Sequence, residues 1–393
     1  MKHLLKLAAC AAFFLTVSAC VYPFDPEIQG EDGRLVVEGD IHIGSISTFK
    51  FSRVYPLDLE SATYSPIIVN GYIEGEDGTR VESVHAPDTD FLSYYYGIST
   101  VTFDTTTLPT GQKYRLHFQD TQSGTVYESE WIEVNPAPVI DDLSYILDED
   151  RGELNVALSM HCNGRSHFRW YYYEEWEYHA RRWTNYYYDP KEREIKEYKD
   201  GANTYYCWST YNSPSIKIFS TADQVEDRFV DLEFHRIGRN DNRLQVLYHI
   251  KVYLEALDEK AYRYWQNIQQ NSHNQGTIFS PTPSQMKGNI QCVTDPSVMV
   301  IGYVGAAVQT EADMFYDDMM ERFYRNPYKD EIEVKEIDPS EFQLYYDSGY
   351  AVLEVIEDIG APTIYQWVIT SCVDCRKAGG TKNKPDGWPN DHK

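Results

Sequence analysis

Long apolar runs are almost absent from this sequence of 393 residues. The longest is the eleven-residue stretch from Leu7 to Val17, whereas a helix needs roughly 20 apolar residues to cross a bilayer. No later segment approaches that length, so we predict no transmembrane helix. Lys2 and Lys6 precede the apolar stretch and Ala19 follows it, which is the layout of a secretory signal.

Positive charge is also scarce. Lys and Arg number 35 against 61 Asp and Glu, which gives a formal net charge of −26. Removal of the leader takes away Lys2 and Lys6 and makes the mature chain still more acidic. Because an acidic surface repels phosphate groups, we expect neither nucleic acid nor an anionic membrane surface as a partner.

The sequence contains no recognisable catalytic signature. It has no Gly-x-Ser-x-Gly, no His-Glu-x-x-His, no phosphate-binding loop and no dinucleotide fingerprint. Acidic residues are so abundant that many pairs of them could be proposed as the two catalytic carboxylates of a glycosidase. Spacing in the sequence, however, does not establish the distance between two carboxylates that this chemistry needs. We therefore expect a protein that is not an enzyme and holds no cofactor or metal. A hydrolase acting on a glycan or a peptide is the remoter alternative.

Seven cysteines are present, and two of them belong to the N-terminal region. Cys10 lies in the leader. Cys20 ends the run Leu15-Thr16-Val17-Ser18-Ala19-Cys20, which matches the pattern that lipoprotein signal peptidases cut. We expect residues 1–19 to be a signal peptide and Cys20 to carry acyl chains such as palmitate, which hold the protein on the outer membrane. Val21 after the cysteine argues against retention in the inner membrane, and the acidic residues nearby favour display at the cell surface, with the periplasmic face as the alternative.

The remaining five cysteines enter an oxidising compartment, where disulfides are allowed. An odd number leaves at least one thiol free. Cys372 and Cys375 have the spacing of a redox or zinc pair, but a structural zinc site needs more ligands, and only His161, Cys162 and Cys207 could supply them. We expect instead a structural disulfide that involves one or both of the pair, with Cys207 as a candidate partner. The connectivity stays open.

In the rest of the chain, short runs in which apolar and polar residues alternate are separated by turn residues. Aromatic residues make up 15% of it, and they pack well on pleated sheets. Residues 20–33 are predicted to be a tether, and residues 34–135 a β-sandwich. This range contains a segment that is typical of immunoglobulin-like and fibronectin-like modules, namely Leu108-Pro109-Thr110-Gly111-Gln112-Lys113-Tyr114-Arg115-Leu116. Asn135-Pro136-Ala137-Pro138 marks a boundary.

A second, larger β-rich domain is predicted over residues 139–375, with one or two short helices. Asp258 can cap a helix whose apolar side chains recur every three or four residues. Residues 314–324 fit a second helix or a strand. Residues 376–393 are rich in Gly, Lys, Asn and Pro, and we expect them to be loose.

Residues 168–188 hold eleven aromatic side chains in 21 positions. Successive side chains of a strand point to opposite faces, so Tyr171 and Tyr173 would lie opposite Trp170 and Tyr172. One face can be core, and the other suggests a partner, because Tyr, Trp and Arg dominate interface hot spots. A sandwich with packing on both faces is the alternative. The candidate binding surface consists of Trp170, Tyr171, Tyr172, Tyr173, Trp176, Tyr178 and Trp183.

Several motifs occur in order along the chain, among them Leu35-Val36-Val37-Glu38-Gly39, Cys207-Trp208, Gly276-Thr277-Ile278-Phe279-Ser280-Pro281-Thr282-Pro283-Ser284, Val300-Ile301-Gly302-Tyr303-Val304 and Cys372-Val373-Asp374-Cys375-Arg376. With them the chain resembles the Bacteroidota outer-membrane lipoprotein family with domain of unknown function 4249. The resemblance implies a lipoprotein encoded beside a TonB-dependent receptor, and hence an accessory or ligand-binding partner in nutrient or metal-complex uptake. It carries over no catalytic residue. A structural or adhesive surface protein is the alternative.

Overall fold

The structure is a computed structural model, and it is mainly β, as the sequence predicts. It describes residues 33–54, 67–85, 97–199, 202–213, 217–273, 288–316 and 332–389. The predicted signal peptide, Cys20 and the tether up to residue 32 lie outside these ranges. Within them, every helix is too short or too polar to cross a bilayer.

In chain order the strands are β1 (Leu35–Glu38), β2 (Ile41–His42), β3 (Ile46–Arg53), β4 (Val69–Gly75), β5 (Arg80–Glu82), β6 (Val84–His85), β7 (Ser99–Asp104), β8 (Lys113–Asp120), β9 (Val126–Ser129), β10 (Ile132–Glu133), β11 (Val139–Asp148), β12 (Glu153–His161), β13 (His167–His179), β14 (Tyr186–Asp189), β15 (Glu194–Glu197), β16 (Tyr206–Asn212), β17 (Lys217–Ser220), β18 (Arg228–Gly238), β19 (Leu247–Leu257), β20 (Ile290–Cys292), β21 (Ala306–Ala307), β22 (Thr310–Tyr316), β23 (Lys335–Glu336), β24 (Tyr350–Ile356) and β25 (Ile364–Ile369). The α-helices are α1 (Glu259–His273) and α2 (Phe342–Asp347). Short 3-10 turns lie at Asn242–Leu244, Pro339–Glu341, Thr370–Cys372 and Cys375–Ala378.

Two sheets face each other in the first sandwich. One has the strand order β1-β3-β7-β6, and the other has β20-β9-β8-β4-β5 with β10 on β8. Alternate side chains of both sheets are buried between them, and the rings of Phe51 in β3 and Phe118 in β8 lie 4.9 Å apart. The Tyr114 hydroxyl at the start of β8 donates a hydrogen bond to the carbonyl oxygen of Pro109 at 2.7 Å. This contact is a tyrosine corner, as found in immunoglobulin-like sandwiches.

Residues 288–308 return to the first sandwich after the chain has built most of the second. Strand β20 pairs antiparallel with β9, and β21 pairs parallel with β2. Ile290, Val300 and Val304 are buried in the same core as Phe51. The predicted range 34–135 therefore omits part of this sandwich, because pairing between distant segments leaves no local mark in a sequence.

The second sandwich packs a three-stranded sheet on a larger one. The smaller sheet has the order β11-β12-β18, and the larger one has β16-β13-β19-β22, with β17 also on β13. The core between them contains Phe168, Trp170, Ile250 and Val252. Residues 314–316 belong to strand β22, which agrees with the strand interpretation of that region, while 317–324 lie outside the described residues.

Helix α1 begins where the sequence predicts. The Asp258 carboxylate accepts a hydrogen bond from the Ala261 amide at 2.8 Å, which caps the first turn. Ala261 and Tyr264 are buried against Tyr303, so the helix packs on the junction between the two sandwiches. The predicted helix is confirmed.

The C-terminal part forms a small third unit. Strands β23, β25 and β24 make a sheet, and its core contains Trp367, Phe342 and Val352 together with Tyr188 from the β14–β15 hairpin. The unit is attached to the larger sheet by a disulfide between Cys207 of β16 and Cys375. Residues 376–389 are not loose, because Thr381 pairs with Trp208 and Trp388 is buried.

Candidate functional site

Strand β13 divides the aromatic run between two faces, as its alternation predicts. Trp170 and Tyr172 each expose only 7% of their surface and Tyr178 exposes 2%. Trp170 makes edge contacts with Phe219 and Phe234 of the second sandwich. These three residues therefore do not belong to a binding surface, because the inward face of a strand with this alternation is used to build the core.

Trp176 and Trp183 have different surroundings. Trp176 is half-buried at the edge of the same core. Trp183 is exposed and lies beyond β13, where its ring packs against Tyr205 and Tyr206 and its Nε1 donates to the side chain of Asn185. Of the seven candidates, only Tyr171 and Tyr173 remain together on one accessible face.

That accessible face of the larger sheet carries a continuous set of aromatic and charged side chains. We call it the outer aromatic face, and it consists of Tyr171, Tyr173, Glu175, His249, Lys251, Tyr253, Glu311, Asp313 and Phe315, which occupy neighbouring positions on β13, β19 and β22. Tyr171 is 37% exposed and Phe315 is 40% exposed. The sequence signal for Tyr253 and Phe315 is the same period-two alternation, applied to β19 and β22.

A stacked tyrosine pair lies at one end of this face. The rings of Tyr171 and Tyr253 lie 4.9 Å apart and nearly parallel, and the Lys251 ammonium lies over the Tyr253 ring. Gln309 donates a hydrogen bond to the Tyr171 hydroxyl at 2.8 Å. Burial raises the pKa of Tyr171 to about 12, so this hydroxyl stays protonated and can also donate. The pair is thus held in position and presents ring surface and hydroxyl together.

A histidine between two carboxylates lies at the opposite end of this face. Nδ1 of His249 is 3.2 Å from Glu175 and Nε2 is 3.1 Å from Asp313, while its ring stacks on Phe315. The Tyr173 hydroxyl donates to Glu175 at 2.8 Å. His249, Glu175, Asp313 and the Tyr173 hydroxyl are therefore each engaged by a neighbour.

A buried charged cluster joins the two sandwiches next to the tyrosine pair, since Arg169 and Glu255 form the next pair on the same face of β13 and β19. We call Asp40, His42, Arg169 and Glu255 the junction cluster. Arg169 donates to both Asp40 and Glu255, and its guanidinium lies 4.8 Å from the centre of the Trp265 ring of α1. Asp40 also accepts from the Gly305 amide at 2.6 Å. The first sandwich, the larger sheet and helix α1 thus meet at one guanidinium.

Ionisation of the junction cluster follows from this geometry. Burial disfavours the charged form of Glu255, but Arg169 and His42 overcome it and hold the pKa of Glu255 at about 2. Burial likewise lowers the pKa of His42, but the hydrogen bond and charge of Glu255, with the charge of Asp40, raise it above the ordinary value of 6.5. A protonated His42 makes the four groups electrically neutral.

Asp40, His42 and Glu255 also have the donor types of a metal site, with ligand atoms within 4.8 Å of one another. Arg169 already contacts both carboxylates, and a guanidinium does not lose its proton in proteins. A divalent cation would have to displace it. The cluster is therefore an ion-pair junction. The signal that could have found it is a pair of opposite charges, Arg169 and Glu255, which lie directly opposite each other on neighbouring strands.

A second buried carboxylate, Glu174, lies inside the second sandwich. It accepts hydrogen bonds from the Tyr248 hydroxyl at 2.6 Å and from Arg243 at 3.1 Å, and it is 2.8 Å from Nε2 of His235. Burial opposes its ionisation, but His235 and these other partners lower the pKa of Glu174. The sequence analysis did not identify Glu174. The signal was available, because period-two alternation along β13 places this glutamate on the same face as Phe168 and Trp170, where a charged residue is unusual.

Among the cysteines that the structure describes, Cys207 and Cys375 form a disulfide. Cys372, the third candidate, is a buried free thiol, and burial raises its pKa. Cys162 and Cys292 are also buried and free. Cys372 and Cys375 therefore do not act together as a zinc-binding or redox pair, because Cys375 is bonded to Cys207 of the sheet instead.

Comparison with protein families gives one match. The model of the family described as domain of unknown function (DUF4249) matches residues 21–313. The chain belongs to this family. The matched DUF4249 region includes both sandwiches, the junction cluster and most of the outer aromatic face, and it ends within β22. The disulfide partner Cys375 and the small C-terminal sheet lie beyond it. No curated protein matches the chain.

Proposed function

We propose that this DUF4249 protein is a lipid-anchored accessory subunit of the outer membrane that partners a TonB-dependent uptake receptor and is not itself catalytic. The outer aromatic face is its contact surface. The observation that carries the proposal is the stacked pair of the exposed Tyr171 and the half-buried Tyr253, framed by Lys251 and by the acidic residues of β22.

The shape and composition of this face support a protein partner. A small ligand binds in a concave pocket, whereas the outer aromatic face is the side of a sheet. Tyrosine contributes much contact area with few rotatable bonds, and aromatic side chains are enriched among interface hot spots. The charges around it would set register with the partner rather than supply most of the affinity.

The anchor and the receptor rest on the sequence. The Leu15–Cys20 run supports lipidation at Cys20, and the acidic residues that follow support display at the cell surface. Family resemblance supports a TonB-dependent receptor as the partner. The cargo is a nutrient or a metal complex carried by that receptor.

Affinity purification of the full-length protein from native outer membranes tests this proposal. The wild-type protein should recover a TonB-dependent receptor, and Tyr171→Ala combined with Tyr253→Ala should lose it. Trp131→Ala is the matched control, because Trp131 is 41% exposed on the first sandwich, away from this face. If the wild-type protein recovers no receptor but co-purifies with an adhesive or fimbrial assembly, the structural alternative replaces the proposal.

A further inference from the structure

A cleft in the C-terminal unit has a lining unlike the rest of this protein. It has a volume of about 590 Å³ and lies between the β14–β15 hairpin and the small sheet with helix α2. Its lining includes six tyrosines: Tyr186, Tyr187, Tyr188, Tyr198, Tyr346 and Tyr350. We call it the tyrosine cleft. It shares no residue with the outer aromatic face or with the junction cluster.

The aromatic lining is held in place by its own packing. The ring of Tyr188 lies against Trp367 and Phe342, and its hydroxyl donates to Gln343 at 3.1 Å. Tyr187 packs against Tyr198 with 4.9 Å between ring centroids. The ring surfaces are therefore fixed before any ligand arrives, which limits the ordering cost of binding.

The charges of the cleft cancel. Asp347 and Asp374 are balanced by Arg376 and Lys377, whereas the whole chain has a net charge of −26. Arg376 also neutralises Asp374 directly, with hydrogen bonds from Nε at 2.9 Å and from Nη2 at 2.7 Å. An ionic ligand would find little net attraction here, so the lining favours an uncharged molecule.

Polar groups remain available around the rings. The Arg376 bonds to Asp374 use Nε and Nη2, which leaves the N–H groups of Nη1 to a ligand, and the Arg376 side chain is more than half exposed. The hydroxyls of Tyr187 and Tyr346 have no hydrogen-bond partner among the described residues. A wholly apolar ligand would leave these donors unused, so the occupant must offer both apolar surface and hydroxyl groups.

We propose that the tyrosine cleft binds a short, neutral oligosaccharide. A sugar ring presents a C–H face that packs on tyrosine rings and hydroxyls that pair with Arg376 and with the hydroxyls of Tyr187 and Tyr346. The cleft volume lies within the range of roughly 300–1,000 Å³ that encloses drug-sized ligands. This site is independent of the proposed receptor contact.

Isothermal titration of the detergent-solubilised full-length protein tests the proposal. The probes are neutral linear oligomers of glucose, mannose, xylose and N-acetylglucosamine, with an oligogalacturonate as the acidic comparison. At least one neutral oligomer should bind saturably and the acidic one should not. Tyr187→Ala and Tyr346→Ala should each weaken that binding about tenfold, the effect of losing one good contact.

Tyr211→Ala is the matched control, because Tyr211 is an equally exposed tyrosine on β16, outside the cleft. It should leave the affinity unchanged, and thermal unfolding should show that all three variants are folded. Three results would each overturn the proposal: no saturable binding by any neutral oligomer, preference for the acidic oligomer, or binding that the cleft variants do not weaken. None of them bears on recovery of a receptor through the outer aromatic face.

Discussion

Nε1 of Trp388 donates a hydrogen bond to Oε2 of Glu177 at 2.8 Å, across 211 residues of sequence. The Trp388 ring is buried with Trp208 and Leu247. The contact attaches the end of the described chain to the larger sheet, next to Phe315 of the outer aromatic face. The C-terminal segment is therefore part of the second sandwich rather than an appendage.

Replacing Trp388 should detach this segment. Trp388→Ala removes a buried aromatic side chain, which we expect to lower the free energy of unfolding by about 3–5 kcal/mol. Trp388→Phe keeps a ring but leaves Glu177 without its indole donor, and should cost about 1–3 kcal/mol. Urea unfolding measures both, and limited proteolysis should cut Trp388→Ala beyond Cys375. An unchanged unfolding midpoint for Trp388→Ala would show that the segment is not anchored in solution.

The Cys207–Cys375 disulfide should stabilise the protein and respond to reductant. Its loop is long, so its removal in Cys207→Ala combined with Cys375→Ala should lower the free energy of unfolding by about 2–5 kcal/mol. Dithiothreitol should shift the wild-type unfolding midpoint and leave the double variant unaffected. If the wild-type protein does not respond although its thiols are shown to be reduced, the link does not contribute to stability.

The junction cluster should make stability depend on pH. The folded-state pKa of His42 lies above 6.5, so its contribution is complete below pH 6.5 and is lost as the pH rises through the folded pKa. The pKa of Glu255 falls from 4.5 to about 2, so its contribution is present above pH 4.5 and is lost as the pH falls towards 2. Stability from this cluster is therefore greatest at about pH 4.5–6.5.

Urea unfolding between pH 5.5 and pH 9 measures the upper limb. The wild-type protein should lose stability over this range, by about 1.4 kcal/mol for each unit of pKa shift, and His42→Gln should lose much less. His85→Gln, at an exposed histidine of the first sandwich, is the control and should follow the wild type. Equal pH dependence in His42→Gln and the wild type would assign the effect to other groups.

Arg169 should prevent the junction cluster from binding a metal ion. In the wild-type protein zinc should not raise the melting temperature, because the guanidinium contacts both carboxylates. Arg169→Ala should lose about 3–5 kcal/mol of stability, since two buried carboxylates lose their partner. Zinc should then restore part of that loss through Asp40, His42 and Glu255. Zinc stabilisation of the wild type that disappears in His42→Gln would contradict the ion-pair assignment.

Lipidation at Cys20 predicts a clear difference in fractionation. The wild-type protein should incorporate a labelled fatty acid and sediment with the outer membrane, because two or more acyl chains give stable attachment. Cys20→Ser should take up no label and appear in the soluble fraction. Membrane association of the unlabelled Cys20→Ser protein would indicate a different means of attachment.

Local patterns in the sequence accounted for the local structure. Period-two alternation placed Tyr171 and Tyr173 opposite Trp170 and Tyr172, and Asp258 marked the start of α1. Alternation did not say which face of β13 is buried, since both faces are rich in tyrosine and the facing sheet comes from distant segments. The buried status of Trp170 and Tyr172 depended on β18, more than fifty residues later in the chain.

Local sequence patterns did not predict the contacts between distant segments of the chain. The sequence around Asp40 does not predict its contact with Arg169, and the sequence around Trp388 does not predict its contact with Glu177. Each pair is formed only when whole sheets pack together. The partner of Cys207 likewise depended on where the C-terminal segment returns. The tyrosine cleft was hidden for the same reason: its walls come from residues 184–204 and 346–377.

The return of residues 288–308 to the first sandwich governs the order in which the protein can be completed. The chain is made from its N-terminus, so β9 remains an unpaired edge until β20 has been made, after nearly all of the second sandwich. Unpaired edges and open cores are where partly folded β proteins aggregate. The first sandwich therefore closes only after most of the second has been made, and a truncation before residue 288, which removes β20 and β21, should leave a species that self-associates.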